Sequence, residues 1–346
     1  MPHPSLFESE AAEAPALAAR QFDRLHERLP ELIGRIDRVG PTLLATIARG
    51  SSDHAAAYAG YLVGLRLGLP AASLPPSLAS VYQRTLRLDR AIALAISQSG
   101  ASPDLCAAVE RAKAGGAFAL GLVNETGSAL GRAVDVEIEI DAGAERAVAA
   151  TKSFVLSVTA VTHLVAAWAR DTALVDALHD LPGVLAQCGS VNWSAGMQTC
   201  GSHDDVFVIG RGPSLPVAQE LALKLKEVCG MHAEALSAAE LLHGPISIAS
   251  PALPAMVLAG DEATRETVNA AVSRLRAAGA PVVILGTARD APALGADVVV
   301  MPDAPDPVLQ PVVAAQAAYA FFAQLARSRG RDPDSPPQLQ KITRTR

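Results

Sequence analysis

The sequence is poor in charged and aromatic residues and contains no paired cysteines. Only 18% of its 346 residues are Asp, Glu, Lys or Arg, 4% are aromatic, and half are hydrophobic. This is too little charge for a disordered chain, so a globular protein with a large core is expected. The 29 basic residues are outnumbered by 35 acidic ones and form no basic block, which argues against nucleic acid as a partner.

Signals for membrane insertion, secretion and metal binding are also lacking. The most apolar stretch, 153–169, is interrupted by serine, threonine and histidine and falls short of the roughly 20 apolar residues of a membrane span. The first residues show no basic region followed by an apolar run, as a secretory signal would. The four cysteines include no C-x-x-C pair, so we expect free, buried thiols rather than a zinc site. The sequence predicts a soluble, cytoplasmic protein without membrane contact or metal.

Short apolar runs recur along the chain, and each is followed by a stretch with helical spacing. They lie at 43–47, 91–96, 118–123, 136–140, 206–209, 255–259, 282–285 and 298–301. Strands that alternate with helices predict parallel sheets covered on both faces. The fold class is therefore α/β, with doubly wound parallel sheets.

The two halves of the chain also match each other. Ile47–Ser52 (IARGSS) resembles Ile209–Ser214 (IGRGPS) at an offset of 162, and Ala114–Ala117 resembles Ala278–Pro281 at an offset of 164. Two copies of one unit are predicted, joined through a polar segment near 180–204. We expect an N-terminal helical segment over 1–30, domains over 31–180 and 190–330, and a C-terminal tail over 331–346.

One loop of the first copy has the chemistry of an anion site. Ser97-Gln98-Ser99-Gly100-Ala101-Ser102 follows a predicted strand, and Ser102 with Pro103 should begin a helix. Hydroxyls beside free helix N–H groups suit a phosphate, although the serines of such a loop can also serve only as caps and turns. The second copy has Gly260, Asp261 and Glu262 opposite Ser97–Ser99, and these carboxylates would repel a phosphate.

The second copy carries ionisable groups instead. Glu220, Lys224 and Glu227 are spaced four and three residues apart, so one face of a helix over about 216–229 presents all three. Such a stripe is usually a solvated, salt-bridged surface. Further on, Ser237–Glu240 has the pattern of a capping box, and a short helix should end at His243, before Gly244-Pro245. His243 could be a plain surface histidine or a group held at a rigid helix end.

These residues resemble the SIS (sugar isomerase) family, in particular the isomerase half of glucosamine-6-phosphate synthase and the stand-alone SIS-type amino-sugar-phosphate deaminases. The resemblance covers nearly the whole chain in the family's order. The matching segments are 49–52 (RGSS), 97–104 (SQSGASPD), 145–152 (ERAVAATK), 209–212 (IGRG), 222–227 (ALKLKE), 232–234 (HAE), 240–245 (ELLHGP) and 339–343 (LQKIT).

The resemblance implies a role for each matching residue. The phosphate would be held by Ser52, Ser97, Gln98, Ser99 and Ser102. Glu227 would be the base of the C1–C2 proton shift and Lys224 its electrostatic partner, His243 would open the sugar ring, and Lys341 would reach the substrate carbonyl carbon. Further substrate contacts would come from Gly50, Ser51, Val148 and Glu220. The resemblance implies no metal or organic cofactor. It does imply a homodimer with a shared active site.

The resemblance also implies a reaction, with alternatives. The synthase begins with a glutaminase domain that these residues lack, so the expected activity is conversion of glucosamine 6-phosphate to fructose 6-phosphate and ammonia. Ala150 stands where the synthase has a serine beside the sugar, so the resemblance does not decide which sugar epimer is the substrate. Alternatives are a deaminase or deglycase of galactosamine 6-phosphate or fructosamine 6-phosphate, a plain aldose–ketose isomerase, and a non-catalytic sugar-phosphate sensor.

The tail before Lys341 has the composition of a frayed terminus, since 329–337 is rich in proline and charge. Placing Lys341 in a site therefore requires the tail to be ordered. Leu339 and Ile342, which flank the lysine, are predicted to anchor it.

Overall fold

The computed structural model describes residues 4–290 and 297–341, which form two compact units. The N-terminal unit comprises Ala16–Glu145 and Lys152–His179 together with the chain from Gln340. The C-terminal unit comprises Arg146–Thr151 and Asp180–Leu339 together with the chain up to Pro15.

The first twelve helices and strands belong mainly to the N-terminal unit, and the boundary between the units falls inside α1 and α7. They are α1 (Leu6–Val39), β1 (Leu43–Ile47), α2 (Ser51–Leu67), β2 (Ala71–Ser73), α3 (Ser77–Ser80), β3 (Ala91–Ser97), α4 (Pro103–Ala114), β4 (Phe118–Val123), α5 (Ala129–Ala133), β5 (Val136–Glu139), α6 (Lys152–Ala169) and α7 (Thr172–Gln187). The N-terminal helix thus extends beyond the segment expected over 1–30.

The remaining helices and strands belong to the C-terminal unit. They are α8 (Ser194–Cys200), β6 (Asp205–Gly210), α9 (Ser214–Glu227), β7 (His232–Ser237), α10 (Ala238–His243), β8 (Ala255–Leu258), α11 (Arg265–Ala277), β9 (Val282–Thr287), β10 (Val298–Met301) and α12 (Gln310–Ser328). Short 3-10 turns precede α8 and α12 and follow α10. The helix expected over about 216–229 therefore begins and ends two residues earlier.

The two sheets share one topology. Their strand orders are β2-β1-β3-β4-β5 and β7-β6-β8-β9-β10, and the paired strands are parallel. Numbered within each copy, both read 2-1-3-4-5, the doubly wound order in which ligands bind where the winding reverses. The predicted α/β class and internal duplication are confirmed. In the N-terminal unit the reversal lies between β1 and β3.

Two long apolar helices form part of the unit cores. Lys152–Ala169 and Pro307–Ser328 are long and apolar enough by composition to cross a membrane, but 89% and 83% of these segments are buried. The expectation that no stretch is long and apolar enough to cross a membrane was therefore wrong. Their burial is that of core helices in a soluble fold, where an apolar surface all round a helix is covered by protein.

The segment near 180–204, expected to be a polar linker, is largely helical and belongs to the C-terminal unit. It contains the end of α7, a 3-10 turn at Cys188–Ser190 and all of α8. Trp193 is 5% exposed and stacks on Phe321 with ring centroids 4.6 Å apart, while its indole N–H donates to the Ala317 carbonyl at 3.1 Å. A buried tryptophan therefore anchors this segment.

The structure describes the tail up to Lys341, and contacts hold it in place. Asp334 accepts hydrogen bonds from the backbone N–H groups of Leu6 and Phe7 at 2.9 and 2.8 Å, and so caps the start of α1. A carboxylate at this end of a helix satisfies free N–H groups and complements the helix dipole, for about 1 kcal/mol. Leu339 is 42% exposed, so it does not anchor the tail, and Ile342 lies outside the described residues.

Candidate functional site

Two loops of the N-terminal unit meet at the carboxyl edge of its sheet. β1 ends at Ile47, next to Ala95 of β3, and β3 ends at Ser97. Because these strands are parallel neighbours, the loops that follow them lie at one edge. The structure thus places Gly50–Ser52, at the start of α2, and Ser97–Ser102, at the start of α4, at the winding reversal.

The second loop is tightly folded. The Ser97 and Ser99 hydroxyls accept hydrogen bonds from the Gly100 and Ala101 N–H groups at 3.0 and 3.3 Å. Gly100 has a φ of +58°, and a Cβ there would lie 2.0 Å from the Ser128 hydroxyl oxygen, so the position requires glycine. The Glu125 N–H donates to the carbonyl of Gln98 at 3.2 Å. These contacts hold the loop backbone and the Ser97 and Ser99 hydroxyls in place.

Ser102 occupies the predicted N-cap position of α4, followed by Pro103 in the first turn. Its backbone is extended, with φ −75° and ψ 117°, but its side chain makes no cap hydrogen bond. The N-cap of α2 is Gly50, so the Ser52 hydroxyl does not cap that helix either. Capping does not account for the Ser52 and Ser102 hydroxyls, whereas those of Ser97 and Ser99 stabilise the turn.

The ionisable stripe of α9 is a buried cluster instead of a solvated surface. Lys224 is 1% exposed, and its Nζ lies 2.5 Å from Glu227 Oε2 and 3.4 Å from Glu220 Oε1. The Glu220 side chain is fully buried, whereas 24% of the Glu227 side chain is exposed. A charge with so little access to water is tolerated only when it is paired. Glu227 is thus a carboxylate that touches a buried cation and also reaches the surface.

His243 is the last residue of α10, as predicted, and its side chain is exposed. The predicted capping box at the start of this helix is wrong. Ser237 makes no cap hydrogen bond, because its hydroxyl accepts from Arg211 Nη1 at 3.1 Å. Tertiary contact with the loop after β6 therefore replaces the local cap.

Lys341 lies near the start of α6, inside the N-terminal unit. Its Nζ lies 2.8 Å from Oε2 of Glu145, whose side chain is fully buried. Glu145 also accepts hydrogen bonds from the N–H and hydroxyl of Ser153, at 3.1 and 2.7 Å. Sequence reasoning gave Glu145 no role, although it begins the matching segment 145–152.

Val148, a predicted substrate contact, is half-buried in the segment Arg146–Thr151 of the C-terminal unit. Glu10 holds this segment by accepting from the Ala147 N–H at 3.1 Å, and the Tyr319 hydroxyl donates to the carbonyl of Thr151 at 3.1 Å.

Across residues 4–290 and 297–341, no group of three or more His, Cys, Asp or Glu side chains is arranged to hold a metal ion.

The strand orders, the serine loop and the lysine–carboxylate cluster define the class of protein. The sequence pattern of the SIS domain matches residues 44–167 and 202–328, one copy in each half. The chain therefore belongs to the SIS domain family, as the resemblance implied.

Individual relatives agree with this. The chain is 37% identical over 316 residues to the glutamine–fructose-6-phosphate aminotransferase (isomerizing) of Halobacterium salinarum, covering 86% of this chain and 51% of that protein. Similar relatives from Thermococcus kodakarensis and Thermus thermophilus are 33% and 32% identical, over 85% and 94% of this chain and 51% and 53% of theirs. The chain thus spans about half the length of these relatives and matches their SIS isomerase half.

Solved structures show the same fold. A candidate phosphosugar isomerase from Silicibacter pomeroyi has a TM-score of 0.89 and 37% identity, covering 96% of this chain and all of that one. The C-terminal domain of a glucosamine-fructose-6-phosphate aminotransferase from Francisella tularensis gives 0.87 at 21% identity, over 96% and 98% of the two chains. A glucosamine-6-phosphate deaminase from Thermotoga maritima gives 0.78 at 21% identity, over 99% and 100%.

Proposed function

We propose that the protein converts glucosamine 6-phosphate to fructose 6-phosphate and ammonia, by an aldose–ketose proton shift followed by hydrolysis of the resulting imine. The observation that carries this proposal is the Lys224–Glu227 contact at 2.5 Å, with Lys224 buried and Glu227 partly exposed. A sugar-phosphate sensor needs no such pair, because binding a phosphate requires neither a base nor a buried ammonium.

The proton shift uses both members of the pair. In the open-chain aminoaldose, Glu227 removes the proton from C2 and returns it to C1, while the substrate oxygen O1 gains a proton and the amine nitrogen loses one. C1 becomes a CH₂OH group and C2 an imine. Negative charge develops on the substrate oxygen during this step, and the Lys224 ammonium stabilises it. Glu220 holds Lys224 on its other side, which keeps the ammonium in place while Glu227 changes its charge.

The remaining groups act before and after this shift. His243 assists ring opening of the cyclic sugar. Water or the amine of Lys341 then attacks C2, and ammonia leaves. When the lysine attacks, water hydrolyses the lysine–sugar imine and releases fructose 6-phosphate. The phosphate is held by a set of residues called here the phosphate clamp: Ser52, Ser97, Gln98, Ser99 and Ser102. Binding energy from this non-reacting end of the substrate orients the reacting end.

The decisive experiment measures ammonia from a panel of hexosamine 6-phosphates. We expect release from glucosamine 6-phosphate with equimolar fructose 6-phosphate, and no release from glutamine. Ammonia from glutamine, or none from any phosphosugar amine, would refute the proposal. Galactosamine 6-phosphate and fructosamine 6-phosphate belong on the panel, because Ala150 leaves the epimer open. Interconversion of amine-free sugar phosphates alone would identify a plain isomerase.

The assembly and location belong to the same proposal. A cytoplasmic homodimer with a shared active site is implied by the resemblance, in which the ring-opening histidine comes from the neighbouring subunit. The exposure of His243 fits a group that acts beyond its own chain. Mixing Glu227→Gln and His243→Gln proteins tests this, since subunit exchange would restore one intact site per mixed dimer, whereas monomers would stay inactive.

A further inference from the structure

The proposed phosphate clamp consists of neutral groups. Its members, Ser52, Ser97, Gln98, Ser99 and Ser102, supply hydroxyls, an amide and backbone N–H groups, whereas a phosphate monoester carries about −1.5 to −2 charge at pH 7. Two acidic residues, Asp53 in the first turn of α2 and Asp104 in the first turn of α4, carry the wrong charge to bind such a ligand.

One permanently charged cation lies on these loops. Arg49 follows β1 and directly precedes Gly50, and its Nε and Nη2 donate to Oδ2 of Asp104 at 3.1 and 2.9 Å. Asp104 is fully buried, whereas 51% of the Arg49 side chain is exposed. The ion pair therefore links the loop after β1 to the start of α4, the two segments that form the clamp.

The geometry leaves part of the guanidinium available. Asp104 occupies one edge of the group, through Nε and Nη2, and Nη1 makes no hydrogen bond to any residue that the structure describes. A planar guanidinium gripped along one edge by a buried carboxylate has little freedom to rotate, so its remaining donors are oriented in advance. Arg49 thus combines charge, exposure and a fixed direction at the carboxyl edge of the sheet.

The second copy provides an internal comparison. Arg211 holds the position of Arg49 at the same offset of 162, but it donates to the Ser237 hydroxyl instead of a carboxylate. Its neighbouring loop has no serines to match Ser97 and Ser99, and Asp261 there accepts hydrogen bonds from the N–H and hydroxyl of Thr264, at 2.9 and 2.6 Å. Of these two arginines, only Arg49 is paired with a buried carboxylate.

Resting on the proposed function, we propose that Arg49 is the cationic ligand of the substrate phosphate, held in position by Asp104, and that it selects a doubly charged phosphate ester over a singly charged ester of the same shape.

Calorimetry with fructose 6-phosphate and fructose 6-sulfate tests the selection. Charge-assisted hydrogen bonds predict that Arg49→Gln weakens phosphate-ester binding by about 10- to 100-fold and reduces the preference over the sulfate ester. Arg87→Gln is the matched control, because Arg87 is exposed and precedes β3 at the opposite edge of the sheet. A folded Arg49→Gln protein with unchanged affinity and preference would overturn the inference. If the wild type binds no sugar phosphate, the proposed function fails, and this inference fails with it.

A second measurement needs no variant. Phenylglyoxal modifies accessible guanidinium groups, so peptide mass spectrometry can follow Arg49 and Arg87 in the wild-type protein. Saturating fructose 6-phosphate should slow modification of Arg49 several-fold and leave Arg87 unchanged. Equal rates at Arg49 with and without a ligand that demonstrably binds would refute the contact, even if Arg49→Gln fails to fold.

Discussion

Lys341 and Glu145 are 196 positions apart in the chain and form an ion pair of 2.8 Å at the start of α6. The carboxylate is fully buried and is also hydrogen-bonded by Ser153, so it holds the lysine at a fixed point. An amine that attacks a carbonyl carbon needs a free lone pair. For Lys341 to act in this way it must lose a proton, and Glu145 is a proton acceptor already in contact with it.

We therefore expect Lys341→Arg to impair deamination severely, because arginine can keep the ion pair but cannot act as a nucleophile. Removing residues 335–346 should abolish deamination and leave the protein folded, since Asp334 is retained to cap α1. The measurements are ammonia release and borohydride trapping of the sugar on the enzyme. Full activity in the truncated protein would remove Lys341 from the site, and trapping on Lys341→Arg would assign the covalent role elsewhere.

Glu227→Gln should stop exchange of the substrate C2 proton with solvent and preserve sugar-phosphate binding. A general base commonly contributes about 10²- to 10⁴-fold in rate, and glutamine keeps the shape of the side chain without the basic oxygen. NMR in heavy water follows the exchange, and calorimetry follows the binding. Exchange at the wild-type rate would mean that another residue is the base.

Ser99→Glu should abolish phosphate binding while the fold is kept. The new carboxylate would stand at the clamp and repel the ligand, and the second copy already accepts Glu262 at the matching position, where it is exposed. Calorimetry with fructose 6-phosphate provides the measurement, and thermal unfolding provides the control. Unchanged affinity in a folded variant would leave Ser97–Ser102 with a turn-forming role alone.

His163 should make the protein sensitive to acid. It is 2% exposed on α6, its ring stacks on Phe22 at 4.6 Å, and burial, assisted by the charge of His26, lowers its pKa to about 4. The unfolded chain would take up this proton near pH 6.5, so the contribution of His163 to stability is complete above 6.5 and is lost as the pH falls towards 4. At about 1.4 kcal/mol per pKa unit, the loss is on the order of 3 kcal/mol.

Substitution His163→Phe keeps an aromatic ring against Phe22 and removes the titrating group. The variant should show a smaller fall in the free energy of unfolding between pH 6.5 and 4 than the wild type. Denaturant unfolding at several pH values measures this difference, with the two proteins compared first at pH 7.5, where both are uncharged at this position. Parallel pH profiles would show that other groups cause the acid sensitivity.

The sequence determined the architecture and indicated which residues are candidates for the chemistry. Apolar runs alternating with helical spacing specify parallel strands covered by helices, because these periodicities are local properties of the chain. The matching segments at an offset of 162 predicted the duplication, which the repeated 2-1-3-4-5 strand order confirms. The signals for the start of a helix at Ser102 and for the end of a helix at His243 were correct. Such signals are local, because they act on the backbone of the adjoining turn.

Tertiary structure decided which partner each side chain has. The Ser237 hydroxyl accepts a hydrogen bond from Arg211 instead of capping α10. Asp104 pairs with Arg49 from another loop, and Lys341 pairs with Glu145. In sequence, the α9 stripe is indistinguishable from a solvated surface, because spacing gives the face of a helix and not what covers that face. Partners distant in the chain meet only when packing closes the loops between them, and local propensities contain no information about that packing.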